Sequence, residues 1–277
     1  MNPTFAIVPA RAGSRGIPHK NRALVGGRPL IAWTIAAAQA SVRIDRVIVS
    51  TDCPEIADLS KNLGAEVPFL RPPELARDDT PGIVPILDAI ERLGMPGAPA
   101  PGWIVQLQPT SPLRTADDID AALSLAETCG ADSVVSVVES TQHPHWAQQI
   151  DAQGRLRPFI AASAPLRRQE LPPAYSLNGA VSAARLELLC ERTSFLGPDT
   201  AAYVMPIERS VDVDAPFDLD LADWLLRRRG APAAANRSTS GENVDDASEI
   251  GGAQTGRRRE ADDLVVKTFG DPPAHRR

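Results

Sequence analysis

Arg11, Arg15 and Lys20 place three positive charges within ten residues of the run Pro9-Ala10-Arg11-Ala12-Gly13-Ser14-Arg15-Gly16-Ile17-Pro18-His19-Lys20-Asn21. Gly13 and Gly16 permit close backbone approach with N–H groups aimed at an anion, and Ser14 adds a hydroxyl donor. That combination suits a polyphosphate. It also describes a basic surface turn, because it lacks both the Lys-Ser/Thr of a Walker A loop and the G-x-G-x-x-G spacing of a dinucleotide site. A second constellation, Asp212-Val213-Asp214, puts two carboxylates on one face of an extended segment. Such a pair attracts Mg²⁺, which takes one or two protein carboxylates and completes its shell with phosphate oxygens and water. The alternative is a solvated acidic edge beside a helix N-terminus.

The run Leu107-Gln108-Pro109-Thr110-Ser111-Pro112-Leu113-Arg114 reads as a strand end entering a rigid turn. Gln108 would face the crevice mouth, where an amide both donates and accepts. Thr110, Ser111 and the prolines read as turn chemistry. Further on, Arg167-Arg168-Gln169-Glu170 precedes Tyr175 and Asn178-Gly179. A guanidinium there offers a planar fork to a carboxylate, although an exposed or interface arginine is the commoner fate. Asn178-Gly179 is most simply a turn. The histidines lack metal-ligand spacing with any cysteine, and G-x-S-x-G and H-E-x-x-H are absent, so neither zinc nor a catalytic triad is expected.

These residues need a scaffold that brings distant segments to one edge. Strands are expected at Phe5 to Val8, Arg46 to Ser50, Trp103 to Leu107, Ser133 to Val138, Ala180 to Ala183 and Ala202 to Met205. A short extended piece is expected at Val67 to Leu70. Helices are expected over Leu30 to Ala40, from Pro54 with Thr51 or Asp52 as cap, and over Ile83 to Leu93. Further helices should run from Thr115 to Ala126, near Leu186 to Glu191, and from Pro216 with Leu219, Trp224 and Leu225 buried. Thr115 with Asp118 resembles a capping box. Strands alternating with helices of this length imply an α/β fold, a mostly parallel sheet covered on both faces, with ligands bound beyond the strands' carboxyl ends. Residues 142–175 break the pattern and read as an inserted lobe. Residues 231–277, poor in large apolar side chains, read as a mostly disordered tail after a domain spanning 1–230.

Composition narrows the function classes. The 277 residues carry 29 Lys+Arg against 35 Asp+Glu, a net charge of −6, which argues against a general nucleic-acid binder. At 43% hydrophobic and 23% charged the chain can bury a sizeable core, and its 26 prolines predict many fixed turns. Cys53, Cys129 and Cys190 are far apart and odd in number, which fits a reducing compartment. No apolar run approaches the length of a membrane span, and the first residues lack a signal-peptide pattern, so a soluble cytoplasmic protein with no membrane partner is expected.

Taken in series, the motifs resemble the acylneuraminate cytidylyltransferase family, the CMP-sialic acid synthetases, over roughly residues 4–229. The resemblance rests on Pro9 to Asn21, Val49-Ser50-Thr51-Asp52, Leu70-Arg71-Pro72 with Glu74-Leu75-Ala76, Leu107 to Arg114, Arg168-Gln169, Asn178-Gly179 and Asp212-Val213-Asp214. It implies a Rossmann-like nucleotide-diphospho-sugar transferase fold. The implied reaction is attack by the anomeric hydroxyl of a nine-carbon keto-acid sugar on the α-phosphorus of CTP, giving a CMP-sugar and pyrophosphate. By the same resemblance Ala10, Arg11, Gly13, Ser14, Arg15, Lys20, Asn21 and Arg71 hold the nucleotide, with Arg11 and Lys20 catalytic. Asp212 and Asp214 carry Mg²⁺, Asp214 also assisting deprotonation. Gln108, Arg168, Gln169 and Asn178 contact the acceptor. Relatives of this family are commonly homodimers joined through the irregular lobe. Two departures bear on the acceptor: Gly82 stands where the family often has serine, and Asn178-Gly179-Ala180-Val181-Ser182 lacks the usual aromatic ring. Legionaminic, pseudaminic or eight-carbon keto-acid sugars, or a nucleotide-binding protein without turnover, are the other readings.

Overall fold

The computed structural model describes residues 2–14, 16–94, 100–160 and 167–230, with the Arg168 side chain not included. Arg15 and the 231–277 segment, read above as a phosphate contact and a tail, lie outside the described residues.

The chain opens with β1 (Thr4–Pro9), a tight ribbon of β2 (Leu24–Val25) and β3 (Arg28–Pro29), α1 (Leu30–Ala40), β4 (Arg46–Ser50) and α2 (Pro54–Asn62). It continues through α3 (Val84–Leu93), β5 (Trp103–Gln106), α4 (Ala116–Cys129) and β6 (Ser133–Glu139). A small hairpin of β7 (Gln148–Ile150) and β8 (Leu156–Pro158) occupies the inserted lobe, before β9 (Tyr175–Arg185), α5 (Leu186–Arg192), β10 (Thr200–Val204) and α6 (Pro216–Gly230). The central sheet has the order β10-β6-β9-β5-β1-β4. Five strands run one way, and β9 runs against both β5 and β6. The sheet is therefore mostly parallel, as the alternation of elements predicts.

Period two along β1 explains the layering. Ala6 and Val8 face a core with Ile31 and Ile35 of α1 and Ile119 and Leu123 of α4. Phe5 and Ile7 face a second core with Ile86 of α3 and Leu189 of α5. A third, smaller cluster gathers Ile17, Val25, Leu30, Leu113, Val213 and Leu226. It joins the cationic loop, the proline turn after β5, the acidic segment and α6. Each buried aliphatic side chain of this size stabilises by roughly 1.5–3 kcal/mol. The apolar residues interleaved with the polar motifs therefore hold those motifs together.

Several local expectations change. Asp52 does not cap α2: Cys53 occupies the cap position without a side-chain bond, and Asp52 Oδ1 instead accepts from the Ala12 N–H at 2.9 Å. Asn178-Gly179 is not a turn but lies inside the eleven-residue β9, where the pairing register with β6 shifts between Val135 and Val137. Gly179 has φ +69°, so it supplies the left-handed conformation that the irregularity needs. Trp224 is 54% exposed, its ring covered by the Arg228 guanidinium, and Ala222 and Leu226 take the buried face of α6. The acidic segment, expected to be extended, lies outside any ladder of the sheet. The capping box of α4 forms as expected, with Thr115 and Asp118 exchanging side-chain-to-backbone bonds.

Candidate active site

The carboxyl ends of β1, β4 and β5 lie together, because Pro9 pairs with Ser50 and Ile7 with Gln106. The chain leaves these ends carrying Arg11, Asp52 and Gln108. The loop after β1 is held close to the sheet: the Ala10 N–H donates to the Ser50 carbonyl at 2.9 Å, and Asn21 Nδ2 donates to the Arg11 carbonyl at 2.9 Å. Asn21 is buried and braces the loop from within. Gly13 is open, with no atom within 4 Å of where a Cβ would stand.

At its far end the loop meets the acidic segment. Lys20 Nζ donates to the Val213 carbonyl at 2.8 Å and to Asp214 Oδ1 at 2.9 Å. A Cβ on Gly16 would stand 2.2 Å from the Asp214 carbonyl oxygen, so only glycine permits this approach. The acidic segment is anchored from two further sides. The Val213 N–H donates to the Thr110 carbonyl at 2.8 Å, and Asp218 Oδ2 accepts from the N–H groups of Asp214 and Ala215 at 3.0 and 2.7 Å. Val213 is fully buried, which turns the flanking Asp212 and Asp214 outward. Partial desolvation, with help from Asp214 and Asp218, raises the Asp212 pKa above the ordinary carboxylate value against the hydrogen bond from Thr110 and the charge of Lys20.

Beside this junction lies a cleft of about 280 Å³ lined by Arg11, Arg71, Asp78, Gln106, Gln108 and Thr110 among others. Arg71 is only 3% exposed and its Nε has no hydrogen-bond partner among the described residues. Burial depresses its pKa, partly offset by Asp52 and Asp88, and Arg11 lowers it further. The Arg71 head lies 3.7 Å from Asp52 Oδ1, and the Arg71 backbone N–H donates to the Thr51 carbonyl at 2.7 Å. Arg11 meets Asp78 at 2.6 Å. A second cavity of about 540 Å³ adjoins the first, sharing Gly82, Gln106 and Gln108 and continuing along Val135, Ser182 and Phe195. Gln108 thus stands between the two.

The site therefore brings together Arg11, Lys20, Arg71, Gln108, Asp212 and Asp214, with half-buried Ser14 on the same loop. Asn178 belongs elsewhere. It is buried, its Nδ2 donates to Met205 Sδ and Ser210 Oγ, and its Oδ1 accepts from Ser136 Oγ and the Ala180 N–H. All four hydrogen-bonding positions of the amide are used, so it locks the β9 irregularity instead of contacting an acceptor. Gln169 is exposed on the single turn Arg168–Glu170. Sequence reasoning gives Asp52 only a capping role and a place in a family motif, and does not single out Asp78 or Gln106. Gln106 had a visible signal, a polar residue in the otherwise apolar strand Trp103–Gln106. The partnership of Asp78 with Arg11 had none.

Comparison with known proteins follows the same lines. A family model described as "Cytidylyltransferase" matches residues 5–177. The chain is 36% identical over 224 residues to a CMP-N,N'-diacetyllegionaminic acid synthase of Legionella pneumophila, covering 80% of this chain and 95% of that protein. It is 33% identical over 226 residues to an N-acylneuraminate cytidylyltransferase of Escherichia coli, where the match covers 81% of this chain and 52% of the relative. The chain thus spans about half the length of that relative and nearly all of the Legionella protein. Among solved structures, a CMP:2-keto-3-deoxy-manno-octonic acid synthetase complexed with CTP shares the fold, with TM-score 0.62, 15% identity, and coverage of 82% of this chain and 99% of that chain. On the family match, the near-complete alignment with the Legionella relative and the shared α/β scaffold, the chain belongs to the cytidylyltransferase family and is a nucleotidyltransferase.

Proposed function

We propose that the chain transfers CMP from CTP to the anomeric hydroxyl of a nonulosonic acid, releasing pyrophosphate. The observation that carries this reading is the junction of Lys20 with Val213 and Asp214, which the Val213 N–H ties to the carbonyl of Thr110, a residue that lines the arginine-bearing cleft. A triphosphate entering there meets cations from the first loop on one side and two carboxylates on the other. The names of the relatives and the CTP in the related structure support the choice of substrates.

In this reading Arg11 and Arg71 draw the phosphates into the cleft, and Lys20 neutralises charge that builds on the oxygens around the α-phosphorus. Gly13 and Ser14 present donors where the loop is open. Gln108, between the two cavities, orients the sugar hydroxyl for in-line attack. The residues fit Mg²⁺: Asp212 and Asp214 are hard oxygen donors facing outward from one segment. No larger cluster of metal-ligating side chains exists among the described residues, so substrate oxygens and water would complete the shell. Bound there, Mg²⁺ would neutralise and orient the triphosphate. Arg168, one of the acceptor contacts that the family resemblance implies, would pair with the sugar carboxylate through its planar fork.

The near-full-length match to a legionaminic acid enzyme favours N,N'-diacetyllegionaminic acid as the first acceptor to test, ahead of N-acetylneuraminic acid. Ser182, in place of the ring that the family resemblance leads one to expect, lines the second cavity and bears on that choice. We further infer a cytoplasmic homodimer. Its supports are the free cysteines, the lack among described residues of a helix able to cross a membrane, and the exposed Ile150, Leu156 and Phe159 of the lobe. Pyrophosphate release from CTP, measured with Mg²⁺ and a panel of nonulosonic acids, tests the reading. Release that depends on both CTP and one of these sugars is expected. No release with any of them would contradict it.

A further inference from the structure

We propose that Arg114 is a positioning residue that sets the acceptor side of the cleft through Gln108 and Ala180. The inference rests on the reading of Gln108 as an acceptor contact. Arg114 is 3% exposed, and it reaches across the end of the sheet. One nitrogen, Nη1, donates to the Ala180 carbonyl at 2.7 Å and to the Gln108 carbonyl at 3.3 Å. These two carbonyls belong to different walls: Gln108 follows β5, and Ala180 follows the left-handed Gly179 in β9.

The two walls touch where the site needs them to. A Cβ on Gly179 would stand 3.1 Å from Gln108 Oε1, so the backbone of β9 packs directly against the side chain that separates the two cavities. Thr34 Oγ1 also donates to the Gln108 carbonyl, at 3.2 Å, but nothing from Thr34 reaches Ala180 among these bonds. Among the described residues, Arg114 alone donates to both carbonyls.

The choice of residue type supports the role. A guanidinium has only donors, so unlike an Asn or Gln amide it cannot reverse and offer an oxygen to either carbonyl. Burying it is costly. Burial lowers its pKa to about 9, with the charge of Asp118 opposing the fall. Its Nε and Nη2 have no partner among the described residues. A site that needed only to fill space would not place a full charge there. The gain is a fixed distance and orientation between the Gln108 side chain and the β9 wall.

The test is steady-state kinetics on the full chain, with CTP and N,N'-diacetyllegionaminic acid varied in turn, for wild type, Arg114→Lys, Gln108→Ala and the double variant. Arg114→Lys should raise the sugar KM about tenfold or more, since displacement of a positioning contact degrades alignment, while the CTP KM stays within about twofold. The penalties of Arg114→Lys and Gln108→Ala should fall short of adding in the double variant, because they act on one contact. Arg114→Met should lose more than Arg114→Lys, and if it fails to fold the lysine variant carries the test. Equal rises in both KM values, additive penalties, or wild-type kinetics for Arg114→Lys would overturn the proposal. If wild type turns over no sugar in the same assay, the functional reading fails and this inference fails with it. Turnover by wild type with an unaffected lysine variant sinks the inference alone.

Discussion

In the proposed reaction Lys20 and Asp214 form the pair on which the chemistry turns, and their environments differ. The Lys20 side chain is 14% exposed and that of Asp214 75%. An ion pair with one partner so open to water adds little to stability, at most about 1 kcal/mol. Asp214→Asn should therefore leave the thermal midpoint nearly unchanged, while turnover falls on the order of 100-fold or more, as for other preorganised charge contacts. Calorimetry beside a pyrophosphate assay separates the two effects. Lys20→Ala should act mainly on kcat. A raised KM with unchanged kcat would assign Lys20 to ground-state binding instead. The identities of both residues were legible in the sequence, since a cationic glycine loop and a D-x-D pair are local patterns. Their meeting, 194 residues apart along the chain, is expected only from the Mg²⁺ chemistry of the pair and from the family resemblance, which put both on one triphosphate, because no local spacing encodes it. Asn178 shows the opposite limit. Its side chain is polar and sits beside a glycine, and only the fold reveals that every hydrogen bond it can make is internal.

Elements set the precision of that meeting. Gly16 and Gly13 lie on one loop yet face different surroundings, and substitution distinguishes them. Gly16→Ala must displace the loop from the Asp214 carbonyl, so turnover should fall sharply. Gly13→Ala adds a methyl group where the protein has no neighbour, so stability should hold and any loss should appear in the CTP KM. The start of α4 offers a pH test. Asp118 is fully buried, and burial by itself would raise its pKa. The Arg209 fork at 2.7 and 3.0 Å and the hydrogen bonds from Thr115 outweigh burial and lower it. A depressed carboxylate pKa stabilises the fold above the unfolded value of about 3.9, and that contribution is lost as pH falls through the native value. Asp118→Asn should cost about 1.5–3 kcal/mol at neutral pH, because it removes the charged partner of Arg209, which stays partly open to water. It should also flatten the acid side of the stability profile, as urea titrations between neutral and acid pH would record. Most helices and strands could be read from periodicity and caps. The β9 irregularity could not, because an Asn-Gly pair also makes a common turn, and only pairing with β6 distinguishes the two.

At the scale of the whole molecule, the sheet delivers three loops to one edge, and a small apolar cluster draws the acidic segment and α6 over them. That cluster explains why Ile17 and Val213, each embedded in a polar motif, are apolar. The hairpin lobe exposes Ile150 at 73% and Leu156 at 66%. If the lobe joins two copies, replacing both residues with Asp should convert a dimer into a monomer in light-scattering measurements, whereas a wild-type monomer would refute the assembly. The α/β class was readable from the order of elements, but the reversed strand in the middle of the sheet was not, because strand direction depends on contacts between distant segments. The most direct test of the central claim is the single-turnover rate of CMP transfer from labelled CTP, followed as Mg²⁺ is raised, in wild type and Asp214→Asn. The account predicts a rate that climbs to saturation with Mg²⁺ in wild type and stays near background in the variant. An Asp214→Asn enzyme with the same rate and the same Mg²⁺ dependence as wild type would contradict it.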